Sequence, residues 1–255
     1  MPAPKNHLKA ALADKRVQTG IWLNLASASA AELLAGSGFD WLLIDAEHGP
    51  NSIPTILAQV QAIGNRVPVV VRPPIGEARM IKQILDLGVQ TILVPMIEDA
   101  AHAAEMARAM HYAPKGTRGV ASAVVRASDF GRVRDYMATA NDETCLILQV
   151  ESRAGLQVLP QLLALDGVDA VFVGPSDLAA DMGYPGNAAA TEVQAAVDAA
   201  LTAIVASGKA AGILTFDLKA AARYQAMGVT FLGIGGDIGL LASAATALAQ
   251  AARGF

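Results

Sequence analysis

Eight short apolar segments recur along the chain, each followed by a stretch with helical spacing. They are TGIWLNL (19–25), WLLID (41–45), VPVVVR (67–72), QTILVP (90–95), CLILQVE (145–151), DAVFVG (169–174), AAGILTF (210–216) and VTFLGIG (229–235). Continuous rather than alternating hydrophobicity is typical of strands buried on both faces, as in parallel sheets. Eight alternating units predict an α/β fold of the (β/α)8 barrel type. We expect one domain over residues 1–255, with a C-terminal helix used in subunit packing.

Two connections depart from this alternation of strands and helices, and both follow a strand. The connection from Pro95 to Thr144 is long, and its residues 111–132 have little helical pattern. A second irregular stretch, DMGYPGNAAA, spans residues 181–190. Long loops inside a compact domain are often functional, so both are candidates for lids or subunit contacts.

Composition narrows the class of partner. The 255 residues are 53% hydrophobic and 16% charged, which permits one large core. The net charge is −4 and Lys and Arg are scattered, so we expect a small-molecule partner and no nucleic acid. The single cysteine, Cys145, excludes an intramolecular disulfide. The N-terminus has no signal-peptide pattern and no segment has membrane-spanning length, which predicts a cytoplasmic protein without a membrane anchor.

Polar residues cluster at the carboxyl ends of the predicted strands. In barrels this rim carries catalysis, whereas the opposite rim carries stability. The residues at or just beyond these strand ends are Trp22, Asp45, Glu47, His48, Arg72, Gln149, Glu151, Ser176 and Asp177.

Glu151 and Asp177 follow two neighbouring strands of the predicted barrel. Two carboxylates with the remaining positions open to water and substrate suit Mg²⁺ or Mn²⁺. The alternative is structural: Glu151 pairs with Arg153, and Asp177 caps the following helix.

His48 and Arg72 supply the other chemistry of this rim. Histidine is suited to proton transfer near neutral pH, and a fixed cation can stabilise an enolate oxygen. The alternatives are a solvent-facing loop histidine, and an arginine that pairs with Glu47 or Asp45. With Gln149 as an orienting group, the set suits proton abstraction next to a carbonyl.

With these residues in view, the chain resembles the HpcH/HpaI family of class II pyruvate aldolases. The motifs are DAEHGPNS (45–52), VVRPP (70–74), IKQILDLGVQTILVPMI (81–97), GTRGVAS (116–122), LQVESRAGL (148–156) and VFVGPSDLAADMG (171–183). The resemblance implies a hexameric barrel that cleaves or forms 4-hydroxy-2-oxo acids. The substrates would be pyruvate or hydroxypyruvate and an aldehyde.

The resemblance also implies roles for individual residues. His48 would be the base, Arg72 the enolate stabiliser, and Glu151 and Asp177 the ligands of Mg²⁺, Mn²⁺ or another divalent metal such as Co²⁺. Gln149 and Ser176, with the adjoining Gly174 and Pro175, would contact the substrate. Trp22, Val120 and Leu214 would line the aldehyde side, and Phe216 would add to this apolar collar.

The family pairs its histidine with a carboxylate that matches Asp86. Asp86 falls near the end of the helix after Arg72, at the opposite rim of the barrel, so we expect it to reach His48 of a neighbouring subunit. Asp45 is the nearer carboxylate for orienting His48 within one chain.

Three other enzyme classes fit the barrel less well. A Schiff-base aldolase needs a lysine at a strand end, and none of the seven lysines lies there. A sugar-phosphate isomerase or synthase is suggested by LGIGGD (232–237), which precedes a helix. An acyl-CoA lyase of the citrate-lyase-like group shares the metal carboxylates but needs a basic region for CoA, which is not evident.

Overall fold

The barrel predicted from the sequence is confirmed by a computed structural model, which describes residues 1–253. Its strands are β1 (Gln18–Leu23), β2 (Trp41–Asp45), β3 (Val69–Arg72), β4 (Thr91–Val94), β5 (Cys145–Val150), β6 (Ala170–Val173), β7 (Ala210–Leu214) and β8 (Phe231–Gly236). Each strand pairs in parallel with the next, and β8 pairs with β1 to close the sheet. The carboxyl ends of the strands therefore meet at one rim.

Helices connect the strands on the outside of this sheet. They are α1 (His7–Ala13), α2 (Ala28–Leu34), α3 (Ile53–Ile63), α4 (Ala78–Asp86), α5 (Ala100–Ala109), α6 (Tyr136–Glu143), α7 (Arg153–Ala164), α8 (Pro175–Asp181), α9 (Thr191–Ala206), α10 (Leu218–Ala226) and α11 (Asp237–Ala252). Several begin at a side chain that accepts a backbone N–H, such as Ser27 before α2 and Asp217 before α10. The long connection after β4 holds α5, a 3₁₀ turn (Arg126–Ser128) and α6.

Aromatic rings fill the barrel interior. Trp41 stacks on Phe231 with ring centroids 4.2 Å apart, and Trp22 meets Trp41 edge to face at 5.5 Å. Gly20 makes room for this packing, because a β-carbon there would lie 2.1 Å from the Trp41 ring. The rings therefore form a solid floor beneath the carboxyl-end rim.

The opposite rim is closed by the N-terminal segment. Leu8 and Leu12 of α1 are buried against the interior cluster. Asn6 donates through its side chain to the Thr91 hydroxyl and the Glu143 carbonyl, each at 3.0 Å. The floor and this plug direct ligands toward the carboxyl-end rim.

Helix α11 has a different environment from the other long helices. Of its residues, Asp237 is the one classed as buried, whereas Ile238, Leu240, Leu241 and Leu248 are exposed. The expected helix at the C-terminus is thus present and presents apolar side chains to solvent in the single chain. None of the helices in residues 1–253 combines the length and the apolar character needed to cross a bilayer.

Candidate active site

A cavity of about 630 Å³ opens at the carboxyl-end rim. Twelve of the residues proposed from the sequence line it: Trp22, Asp45, His48, Arg72, Gln149, Glu151, Gly174, Pro175, Ser176, Asp177, Leu214 and Phe216. The topology explains this convergence, because each follows or ends a strand whose carboxyl end meets the same rim.

Arg72 is held from two sides by carboxylates. Because Asp45 and Arg72 are register partners on β2 and β3, Nε and Nη2 of Arg72 each donate to the Asp45 carboxylate at 2.8 Å. Glu47 Oε2 lies 2.7 Å from Nη1. Burial alone would raise the pKa of Asp45, but hydrogen bonds and charge from Arg72 hold it below its ordinary value. The pairing of Arg72 with both neighbours, foreseen as a structural alternative, is therefore present.

His48 stands at the open side of the cavity with 64% of its side chain exposed. The nearest carboxylate is that of Glu47, whose Oε2 lies 3.9 Å from His48 Nε2. Asp45, which we expect to orient the imidazole, makes no hydrogen bond to His48 within residues 1–253: its carboxylate accepts from Arg72, Asn24 and the Glu47 N–H. Arg72 is the stronger competitor because it offers two charge-assisted hydrogen bonds.

Glu47 is a rim residue for which the sequence suggested only a pairing with Arg72. Burial raises its pKa to about 6, against the attraction of Arg72, and the charge of Glu151 adds to the rise. A carboxyl group that titrates just below neutral pH therefore lies between the arginine and the histidine.

Glu151 lies 2% exposed at the end of β5. Its Oε1 accepts the Met96 N–H at 2.9 Å, and its Oε2 accepts from the Gln149 amide. Burial raises the pKa of Glu151, and the charge of Asp177 raises it further. The alternative pairing of Glu151 with Arg153 is wrong, because Arg153 bonds Asp181 at 3.1 Å.

The carboxylates of Glu151 and Asp177 fit a divalent cation that keeps most of its shell for water and substrate. Gly174 leaves space for the Glu151 carboxylate, since a β-carbon there would stand 2.6 Å from Glu151 Oε2. Among residues 1–253 no group of three or more His, Cys, Asp or Glu could hold a metal. Two carboxylates would supply part of an oxygen donor set and would leave the remaining positions to water and substrate.

Asp86 and Val120 are the two proposed residues that the single chain does not bring to the cavity. Asp86 ends α4 and bonds Arg118 Nη2 at 2.9 Å. Val120 is 67% exposed, in the connection between β4 and β5. Neither lines the cavity that His48 lines.

Asp237 directly follows the glycine-rich end of β8, and its carboxylate is bound by backbone N–H groups of the residues that follow β1. Asp237 is 5% exposed, and it accepts the N–H groups of Asn24 at 2.9 Å and Leu25 at 3.1 Å. A phosphate at the start of α11 would meet this buried negative charge. The geometry therefore disfavours the phosphate-loop interpretation of LGIGGD.

Several lining residues had no assigned role in the sequence. They are Asn24, Phe172, Ala188, Ala189, Gln194, Thr215, Ala220, Tyr224 and Gly236. Asn24 directly follows β1, so the strand-end rule could have identified it. Gln194 and Tyr224 lie in helices, and strand ends give no indication of them.

The fold and this rim define a (β/α)8-barrel enzyme with its active site at the carboxyl ends of the strands. The sequence model of the HpcH/HpaI aldolase/citrate lyase family matches residues 18–244. The chain belongs to this family, as the motifs predicted.

Similarity to three known proteins extends over nearly the whole chain. The 4-hydroxy-2-oxo-heptane-1,7-dioate aldolase of Shigella boydii is 52% identical over 248 residues, covering 96% of this chain and 94% of that protein. The hydroxypyruvate/pyruvate aldolase of Agrobacterium fabrum is 47% identical, covering 100% and 96%. The crystal structure of an HpcH/HpaI aldolase/citrate lyase family protein from Burkholderia cenocepacia superposes with a TM-score of 0.94 at 39% identity, covering 98% and 100%.

Proposed function

We propose that the chain is a metal-dependent class II aldolase that cleaves and forms 4-hydroxy-2-oxo acids. The donor would be pyruvate or hydroxypyruvate, and the acceptor an aldehyde. The aldolase class is confirmed by relatives that are about half identical over nearly the whole chain. The observation that carries the proposal is the convergence of Arg72, His48 and the Glu151–Asp177 pair on one cavity.

Glu151 and Asp177 would hold the divalent cation, and their oxygen donors favour Mg²⁺ or Mn²⁺. When bound, it supplies positive charge for the carboxylate and keto oxygens of the substrate. Gln149 donates to Glu151, and its Oε1 lies 3.5 Å from Arg72 Nη1. It therefore links the carboxylate that would bind the metal to the guanidinium that would stabilise the enolate. Ser176, with Gly174 and Pro175, forms the wall beside the substrate carboxylate.

Arg72 and His48 would carry the steps at the reacting atoms. In cleavage, His48 takes the proton of the C4 hydroxyl, the C3–C4 bond breaks, and its electron pair becomes the enolate. Arg72 stabilises the charge that develops on the C2 oxygen, and its ion pairs fix the guanidinium before substrate arrives. In synthesis the same groups act in reverse.

The assembly would be a homohexamer in which neighbouring subunits complete each site. The exposed apolar face of α11 and the exposed Val120 support subunit contacts, because isolated monomers seldom expose such clusters. Asp86 would reach the His48 of a neighbouring copy, with Arg118 holding its carboxylate. Analytical ultracentrifugation of the full chain should give a mass six times 26.2 kDa; a monomer would contradict this part of the proposal.

An aldehyde screen with pyruvate and hydroxypyruvate under defined Mg²⁺ or Mn²⁺ tests the function. EDTA should abolish turnover, and either metal should restore it. Borohydride should trap no covalent adduct with pyruvate, because within residues 1–253 no lysine lines the cavity. The proposal fails if no donor and aldehyde pair reacts in either direction.

A matched pair of variants tests the metal site without turnover. Asp177 and Asp181 lie one turn apart on α8, but Asp177 lines the cavity whereas Asp181 bonds Arg153. Mn²⁺ titration of the metal-free protein should show affinity falling at least tenfold in Asp177→Asn, because that variant loses an ionised ligand. Affinity should change little in Asp181→Asn; equal affinities in the two variants would contradict the assignment.

A further inference from the structure

Asn24 occupies a fixed place at the cavity wall. It directly follows β1, its backbone N–H donates to Asp237 at 2.9 Å, and its side-chain Nδ2 donates to Asp45 Oδ2 at 2.7 Å. The backbone N–H and the side chain of Asn24 are thus both held by buried carboxylates, and the residue lines the cavity. A side chain fixed in this way is ordered before substrate binds.

These contacts decide which amide atom faces the substrate. The Arg72 ion pair keeps Asp45 ionised by lowering its pKa, and an ionised carboxylate can only accept hydrogen bonds. The nitrogen of Asn24 must therefore face Asp45, which leaves the oxygen on the other side. Oδ1 stands 3.9 Å from the β-carbon position of Gly236 and receives no hydrogen bond from residues 1–253.

The order of strands places this acceptor across the barrel from the proposed site of the substrate carboxylate. Strands β1 and β2 lie across the closed barrel from β5 and β6, which carry Glu151 and Asp177. A substrate whose carboxylate lies beside those two residues directs its other end toward Asn24. Much of the surrounding wall is apolar, with Trp22, Leu214 and Phe216. A neutral acceptor in such a wall favours a ligand that has a hydroxyl group there.

We propose that Asn24 determines specificity for a hydroxyl group on or next to a reacting carbon, through a hydrogen bond that its Oδ1 accepts. The inference rests on the proposed aldolase function and specifies its substrate class. The hydroxyl belongs either to C3 of hydroxypyruvate or to the α-carbon of a hydroxyaldehyde. Deoxy analogues lose this bond and leave the amide oxygen without a partner.

The test compares ratios of kcat/KM in wild type and Asn24→Ala. Hydroxypyruvate is compared with pyruvate, with acetaldehyde as acceptor, and glycolaldehyde is compared with acetaldehyde, with pyruvate as donor. In the variant, one of the two ratios should fall by about five- to tenfold, which corresponds to the loss of one hydrogen bond. The ratio that falls identifies which substrate carries the hydroxyl. Damage through Asp45 and Arg72 affects both members of a pair and cancels in the ratio.

Two further variants distinguish loss of the Asn24 acceptor from damage to Asp45, which holds the Asn24 side chain. The side-chain Nδ2 of Asn51 donates to the backbone carbonyl of Asp45 at 2.7 Å, but Asn51 does not line the cavity, so Asn51→Ala should leave both ratios unchanged. Gly236→Ala places a methyl group beside Oδ1 at ordinary contact distance and leaves the Asp45 bond intact. It should lower the same ratio as Asn24→Ala, and it serves where that variant does not fold.

Unchanged ratios in both Asn24→Ala and Gly236→Ala would overturn the inference while leaving the aldolase function in place. An equal fall of the same ratio in Asn51→Ala would also overturn it, because the effect would then come from Asp45. Failure of the wild-type chain to condense any donor with any aldehyde would overturn the proposed function and this inference together.

Discussion

Replacing Glu47 with Gln should stabilise the metal-free protein at neutral pH. Glu47 has 13% of its side chain exposed and lies near Asp45 and Glu151, which are also carboxylates. Arg72 attracts it, yet that guanidinium is already paired through two hydrogen bonds with Asp45. The glutamine keeps the shape and removes a charge that the folded state holds unfavourably.

The magnitude follows from the pKa of Glu47, which burial raises from 4.5 to about 6. A rise of this size corresponds to about 2 kcal/mol, and solvent at the cavity edge reduces the cost to about 1 kcal/mol. Because the folded protein holds the proton more tightly than the unfolded chain, the cost is absent below pH 4.5. It develops between pH 4.5 and 6 and is complete above that range.

Thermal unfolding in EDTA, followed from pH 4.5 to 8, measures this effect. The Tm of Glu47→Gln should exceed that of wild type by roughly 2–4 °C at pH 7.5, and the two should converge near pH 4.5. Glu143→Gln is a control in which the expected change in stability has the opposite sign. Burial raises the pKa of Glu143, but its bonds to Lys5 and the Asn6 N–H outweigh burial and lower it. That variant should lose stability at neutral pH; a Tm difference for Glu47→Gln that is independent of pH would refute the reasoning.

Three further predictions follow from the same structure. Arg72→Lys should lower kcat/KM by about 100-fold or more, measured in the retro-aldol direction, because an ammonium cannot keep both hydrogen bonds to Asp45; near wild-type turnover would contradict it. Gly20→Ala should lower the Tm by several degrees in a thermal scan, because its β-carbon would lie 2.1 Å from Trp41; an unchanged Tm would show that the barrel core adapts. The Cys145 thiol should resist a disulfide reagent until the chain unfolds, because burial raises its pKa well above the ordinary value; rapid labelling of the native protein would contradict it.

The sequence predicted the barrel and most of the rim because both follow from local pattern. Continuous apolar runs identify strands buried on two faces, and position at the end of such a run places a side chain at the rim. This rule located Arg72 and Glu151 correctly at the ends of β3 and β5. Boundaries were less accurate: the run 210–216 contains β7 only to Leu214, because Asp217 caps α10 and the chain turns at Thr215 and Phe216.

Pairing among the rim residues could not be predicted in the same way. Asp45 could have oriented His48 or paired with Arg72, and the choice depends on β2 and β3 being in register. Gln194 and Tyr224 reach the cavity from α9 and α10, through packing of helices that are distant in sequence. Such contacts depend on tertiary geometry, which short-range patterns do not encode.

The charge balance of the rim explains why these pairings matter for catalysis. Four carboxylates, those of Asp45, Glu47, Glu151 and Asp177, share this rim with the guanidinium of Arg72, and the substrate would add another negative charge. Asp45 and Arg72 neutralise each other, whereas burial raises the pKa values of Glu47 and Glu151 and mutual repulsion raises them further. A divalent cation between Glu151 and Asp177 would offset two of these charges before the anionic donor enters. This excess of negative charge would thus favour cation binding beside the proposed position of the donor carboxylate.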